Sequence, residues 1–226
     1  DLNWNRPEDE KLLREWSPNV IIGYAKELFK SIRDRTNLLY SCEEKLNITI
    51  DIVKKFDKAK TICFGQSTTF ADNLNTLINR ELPNQSVVYH SKLQTRLVQL
   101  PDGKTKKVGK TVLMREAIEA IKTNKARIIC SASAIDTGFD VKDISLGIVC
   151  AGTQNPTQQK QRGGRIVRLE EIYQSDVPVL IINLYVPDTR DEEWLKKRQS
   201  KNTHIVYWVE DLEQVTFNPV NTNEYD

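Results

Sequence analysis

The chain has 226 residues, 39% of them hydrophobic and 28% charged, with a formal net charge of +2. This length allows one large domain or a domain with an appendage, and this composition excludes disorder throughout. So small a net charge gives no global field for nucleic acid, and any anion site must be local.

Through about Asp57 the pattern is helical. Ser17 followed by Pro18 offers an N-cap and a first-turn proline, and Val20, Ile21, Tyr24, Leu28 and Ile32 follow a period near 3.6. Ser41 with Glu44 predicts a capping box for a second helix carrying Leu46, Ile50, Val53 and Phe56. Residues 1–58 are assigned as a helical linker or packing segment without a catalytic signature.

From Lys60 short apolar runs alternate with amphipathic stretches. Strands are predicted at Thr61 to Phe64, Ser86 to Tyr89, Arg127 to Cys130, Leu146 to Cys150 and Val179 to Tyr185. Helices are predicted at Thr68 to Glu81, at Val112 to Lys122, around Gln161 to Arg168, and from Asp188 to Lys197-Arg198. Strands of four to seven residues interleaved with helices predict an α/β fold, a parallel sheet flanked by helices, over 59–200. His204 to Val209 is a candidate edge strand, and the polar remainder of 201–226 reads as a tail. The segment 93–111 breaks the alternation: two strands around Pro101-Asp102-Gly103 predict a β-hairpin insertion. From Gln94 to Arg115 the basic residues are Arg96, Lys104, Lys106, Lys107, Lys110 and Arg115, against the single acid Asp102. Such a patch reads as a solvated hairpin or as a nucleic-acid contact.

Cys42, Cys63, Cys130 and Cys150 form no CxxC pair, so neither a zinc site nor a disulfide framework is predicted, and no metal ligand is nominated. No apolar run approaches the roughly 20 residues of a membrane span. With no secretory signal at its start, the chain is expected to be intracellular, in cytoplasm or nucleus/nucleoid, without a membrane partner. It begins at Asp1 and its one methionine is Met114, which reads as a piece of something longer.

In a parallel sheet, ligands sit beyond the carboxyl ends of the strands. Gly65-Gln66-Ser67, His90-Ser91-Lys92, Ser131-Ala132-Ser133 and Gly152-Thr153-Gln154 are expected there, all polar. The densest functional signal is Gln161-Arg162-Gly163-Gly164-Arg165-Ile166-Val167-Arg168, three arginines at i, i+3 and i+6. Two glycines inside a helix cost roughly 1–2 kcal/mol against alanine, so they are expected at the helix start or against a ligand. Two other motifs are rejected. Gly109-Lys110-Thr111 has five residues after Gly103 where a phosphate loop needs four. Asp191-Glu192-Glu193 lies too far from the strand tip for a Mg²⁺ acid.

Ser131 to Asp140 resembles helicase motif V, and Gln161 to Arg168 matches the Gln-x-x-Gly-Arg-x-x-Arg form of motif VI. With the motif IV-like strand and turn Thr61 to Ser67, the likeness covers roughly Lys60 to Lys197. The chain thus resembles the second, C-terminal RecA-like domain of a superfamily 2 DNA helicase or translocase, nearest to repair-type and phage branched-DNA remodelling helicases. Thr189 and Lys197-Arg198 echo the segment that follows motif VI in those enzymes.

The resemblance implies ATP and Mg²⁺ held mainly by a first RecA-like domain that is missing from this chain. In this chain it implies Arg165 and Arg168 as arginine fingers on the γ-phosphate, with Gln161 as a third catalytic residue. Gly138, Asp140, Arg162 and Gly164 would line the nucleotide. Gln66, Ser67, His90, Ser91, Lys92, Ser131 and Ala132 would follow the phosphates of one DNA strand, single or branched. To these the hairpin adds Lys104, Lys106 and Lys107. The implied activity is ATP-dependent DNA unwinding or translocation in repair or recombination, completed only with the missing domain. The alternative is a non-enzymatic RecA-like module that binds nucleic acid or a partner.

Overall fold

The computed structural model describes residues 18–99, 103–132, 141, 143–153, 155–166, 179–199 and 206–217. Two compact units divide the chain, 1–39 and 40–226. In the first, helix α1 (Pro18–Tyr40) starts at the proline that the sequence put at its first turn, and it buries none of its residues.

The second unit opens with α2 (Glu43–Lys55), whose N-cap is Cys42, with no side-chain cap hydrogen bond. The helix N-cap thus falls one residue beyond Ser41, where the sequence expected it. Glu43 and Glu44 fall in the first turn and Lys54 and Lys55 in the last, each charge favourable to the helix dipole. The sequence read this helix as part of a linker or packing segment, and it buries Leu46, Ile50, Ile52 and Val53 in the core of the second unit.

After α2 come β1 (Lys60–Gly65), α3 (Thr68–Glu81), β2 (Ser86–Tyr89), the hairpin strands β3 (Arg96–Gln99) and β4 (Thr105–Val108), and α4 (Lys110–Lys122). Then follow β5 (Ile128–Ala132), β6 (Ile144–Val149), α5 (Pro156–Ile166), β7 (Leu180–Asn183), α6 (Arg190–Gln199) and a 3₁₀ turn at Leu212–Gln214. The sheet runs β2-β5-β1-β6-β7, every pair parallel, and the hairpin forms a separate two-stranded sheet. Alternation along β1 explains how both faces are covered. Cys63 packs into one core with Leu46, Val53, Phe70 and Leu74, whereas Ile62 and Phe64 pack into another with Ala117 and Ile121.

Of the expected edge strand His204 to Val209, the described residues Val206 to Val209 carry no strand and are exposed, and His204 and Ile205 lie outside the described residues. Trp208 is instead held edge-on to Tyr185, centroids 5.5 Å apart. Phe217, read as part of a polar tail, packs edge-on against Phe56 at 5.1 Å, because an aromatic ring beside an apolar core gains more from burial than a tail gains from freedom.

Candidate functional site at the carboxyl ends of the strands

Parallel registers bring the expected loops to one sheet edge. Gly65 pairs with Ala132, Tyr89 with Ser131, Phe64 with Val149 and Val149 with Asn183, so the chain leaves β2, β5, β1 and β6 on the same side.

At the end of β1, Ser67 is the N-cap of α3, its Oγ accepting from Phe70 N at 3.0 Å. A Cβ on Gly65 would lie 2.9 Å from the Phe70 ring, so the glycine lets that ring close over the strand end. Gln66 points along the edge: its Nε2 donates to Gln158 Oε1 at 2.9 Å, so its amide links β1 to α5. At the end of β2, His90 is interior, with its side chain only 2% exposed. Lys92 N donates to its Nδ1 at 3.2 Å, which places the ring proton on Nε2, aimed at Asp72 Oδ1 2.9 Å away. A ring with both nitrogens engaged has nothing to offer a phosphate, so of this loop only Ser91 and Lys92, both exposed, remain available. Ser131 is buried with its Oγ unpartnered, and Ala132 is half-buried. Lys104, Lys106 and Lys107 are exposed on the hairpin. Gly138, Asp140 and Arg168 lie outside the described residues, as does the rest of the motif V-like stretch beyond Ala132.

Asn155 starts α5 by accepting from Thr157 N at 2.9 Å, with Pro156 at the first helical position. Gly163 and Gly164 therefore fall in the third turn and not at the helix start, one of the two placements expected, and among the described residues no atom other than the helix's own backbone and the chain neighbours lies within 4 Å of where their Cβ atoms would be. An Asn-Pro pair eight residues ahead of the glycines was the sequence signal for this. Gln161 and Gly164 are exposed on the helix.

Arg162 turns the opposite way. It is 1% exposed, with Nη1 donating to Ala151 O at 2.7 Å, Nη2 donating to Gly65 O at 3.2 Å, and its Cζ 5.3 Å from the centre of the Phe64 ring. Its guanidinium thus ties α5 to the ends of β6 and β1 and is not placed to line a nucleotide. Burial, with Arg198 nearby, pushes its pKa down to about 10, still cationic at neutral pH.

Beside it lies a polar cluster that sequence reasoning did not assemble. Lys45 of α2 pairs with Asp191 of α6, both buried, and Val186 N also donates to Asp191 Oδ2 at 3.2 Å. Asp191 is thus committed to the fold. Arg198 is 2% exposed and donates from Nη1 to Thr153 O at 2.8 Å. Burial lowers its pKa, while Asp191 opposes the shift. Tyr40 is pushed up, first by burial and then by Asp191. Asp191, Leu195 and Arg198 stand at i, i+4 and i+7, one helix face with a single apolar residue on it. That pattern hides the face from any hydrophobicity count.

A family model described as the helicase conserved C-terminal domain matches residues 44–170. Among curated proteins, the DNA 3'-5' translocase XPB2 of Sulfurisphaera tokodaii is 23% identical over 175 residues, covering 77% of this chain and 34% of that protein. The chain thus spans about a third of the length of the curated relative it matches. Among solved structures, domain 2 of the DEAD-box helicase Mss116p, bound to an RNA duplex, superposes with a TM-score of 0.56 at 12% identity, covering 77% of this chain and 62% of that one. The C-terminal domain of the DEAD-box protein Dbp5 gives 0.53 at 15% identity, covering 72% and 80%. At such identities these likenesses concern the fold: a parallel sheet flanked by helices, as in RecA-like helicase C-terminal domains.

Proposed function

The chain belongs to the helicase conserved C-terminal domain family, as a RecA-like C-terminal domain of a superfamily 2 helicase, and on that premise we propose that it is the second motor domain of an ATP-dependent DNA helicase or translocase. The observation that carries the proposal is the placement of Gln161 to Ile166, the described part of the Gln-x-x-Gly-Arg-x-x-Arg stretch. Its helix is pinned to the sheet edge by Arg162, while Gln161 and Gly164 face outward with open space before the glycine.

That surface suits a polyphosphate: an amide, a bare stretch of backbone, and a sequence that carries Arg165 and Arg168 within seven residues of Gln161. The nucleotide supplies the phosphoanhydride bond whose cleavage drives the motor. Arg165 and Arg168 act as the fingers that stabilise charge on the transferring phosphoryl group, worth about 10³–10⁵ in rate. Gln161 orients the site. For Mg²⁺, no three His, Cys, Asp or Glu side chains converge among the described residues. Its ligands and most of the ATP site are assigned to an ATP-holding RecA-like domain outside this chain.

DNA is the substrate suggested by the XPB2 relative. Ser67, Ser91 and Lys92 stand at the ends of β1 and β2 and contact the phosphates of one strand without reading bases. Lys104, Lys106 and Lys107 extend that contact onto the hairpin.

The test joins this chain to the ATP-holding domain and measures DNA-stimulated ATPase. Arg165→Ala and Arg168→Ala should each lower turnover about 10³-fold with DNA affinity unchanged. Turnover at the parent rate in both variants would remove the finger assignment. DNA binding without any turnover in the parent would favour a non-enzymatic binding module.

A further inference from the structure

The turn between β6 and α5 is held by two buried guanidiniums coming from different helices. Arg162 of α5 donates to the Ala151 carbonyl and Arg198 of α6 donates to the Thr153 carbonyl, so the residue between them, Gly152, is bracketed. A Cβ on Gly152 would lie 2.7 Å from Arg198 Cζ, closer than real contacts allow, so the guanidinium occupies the space that a side chain there would need. Within the turn, Gln158 Oε1 accepts from Thr153 N at 3.3 Å and from Gln66 Nε2 at 2.9 Å, knitting the start of α5 to the same backbone.

Arg198 is not loosely held at its own end. Asp191, two turns earlier on the buried face of α6, is fixed by Lys45 of α2 and by Val186 N, and Leu195 between them is 2% exposed. A rigid line therefore runs from α2 through α6 to the turn from which α5 departs. Arg198 also lies beyond residue 170, where the family match ends.

We propose that Arg198 is a positioning residue for the arginines of α5, setting the angle at which that helix leaves the sheet by clamping the Gly152–Thr153 backbone from α6. The proposal rests on the finger reading of α5 given above for its catalytic consequence, but not for the clamp itself. The leverage is mechanical. Arg165 lies nine residues beyond Pro156, about 14 Å along a helix at 1.5 Å per residue, so a tilt of about 5° at the turn moves it by about 1 Å. A misplacement of about 1 Å costs on the order of 10²-fold in rate. A lysine keeps the charge but not the planar two-sided guanidinium that fits a bare glycine backbone.

The clamp is tested by hydrogen exchange on this chain, comparing the parent with Arg198→Met, Arg198→Lys and Gly152→Ala. Amides in 150–166 should exchange about tenfold faster in Arg198→Met and Gly152→Ala, with the protection of 60–65 and 128–132 unchanged. Arg198→Lys should fall between. Unchanged exchange at 150–166 overturns the proposal, as does a uniform rise across the sheet, which marks general destabilisation. Should Arg198→Met not fold, Arg198→Lys carries the same comparison.

Joined to the ATP-holding domain, Arg198→Met should lower kcat about 10²-fold with KM for ATP and DNA affinity unmoved. It should add nothing to Arg165→Ala, because a residue acting through another has no effect once that other is gone. Additive losses in the double variant overturn the positioning role. Absence of ATPase in the assembled parent would sink the motor reading alone, with the exchange comparison still deciding the clamp.

Discussion

The two arginine- and lysine-rich regions of this chain handle positive charge in opposite ways. At the β6–α5 turn the cations are interior. Arg162, Arg198 and Lys45 are each 2% exposed or less, and each has a defined oxygen partner. On the β3–β4 hairpin the cations are exposed, and the registered pairs Leu97 with Lys107 and Val98 with Lys106 put lysines on both faces of a ribbon that belongs to no larger sheet. The hairpin follows edge strand β2 and the turn follows β6, three strand spacings away in the order β2-β5-β1-β6. At about 4.8 Å per strand that is roughly 14 Å along the edge. Buried cations fix geometry, because each must keep its hydrogen bonds or suffer the full desolvation cost. Exposed lysines fix little, but they answer to salt and attract any polyanion.

Breaking the interior set should have the largest effect on stability. Lys45→Met leaves Asp191 buried and unpaired, with an expected loss of about 3–5 kcal/mol by urea titration. A loss below about 1 kcal/mol would show that the pair is hydrated in solution. Arg162→Met strands the Gly65 carbonyl, leaves Ala151 O only the long bond from Gln66 Nε2 at 3.5 Å, and should cost about 2–3 kcal/mol. Ser67→Ala, which removes the α3 cap at the same sheet edge, is expected to cost about 1 kcal/mol, read from the same titration.

The hairpin should behave otherwise. Lys106→Ala combined with Lys107→Ala should leave stability within about 0.5 kcal/mol. It should also lower the slope of log affinity for DNA against log salt by about 2, one unit for each phosphate that is no longer neutralised. An unchanged slope would mean that the ribbon is only a solvated hairpin. Smallest of all, Arg96→Gln removes an exposed pairing with Glu116, Nη2 to Oε2 at 3.1 Å, and should shift stability by no more than about 0.5 kcal/mol.

How much of the fold is legible in the chain follows from how local each signal is. Periodicity locates every strand of the main sheet, because a strand buried on both faces must be apolar along its length, as Ile62, Cys63 and Phe64 are. The Pro-Asp-Gly turn announces the hairpin, and Gly103 at φ 80° sits where only glycine is comfortable. Spacing alone puts Arg162 on one face with Arg165 and Arg168, and the resemblance implies that it lines the nucleotide, whereas the Ala151 and Gly65 carbonyls hold it inward. His90 misleads for a similar reason: its partner Asp72 is 18 residues away, on another element.

The sequence by itself determined the order of elements, the parallel sheet and the family stretch on α5, since these depend on residues within a few positions of one another. Only the tertiary structure decided which cations are machinery and which are mortar. Lys45 meets Asp191 across 146 positions, and Arg198 meets Thr153 across 45. A charge becomes structural when packing removes its water and leaves a carbonyl or carboxylate in its place, and no local pattern records which charges those will be.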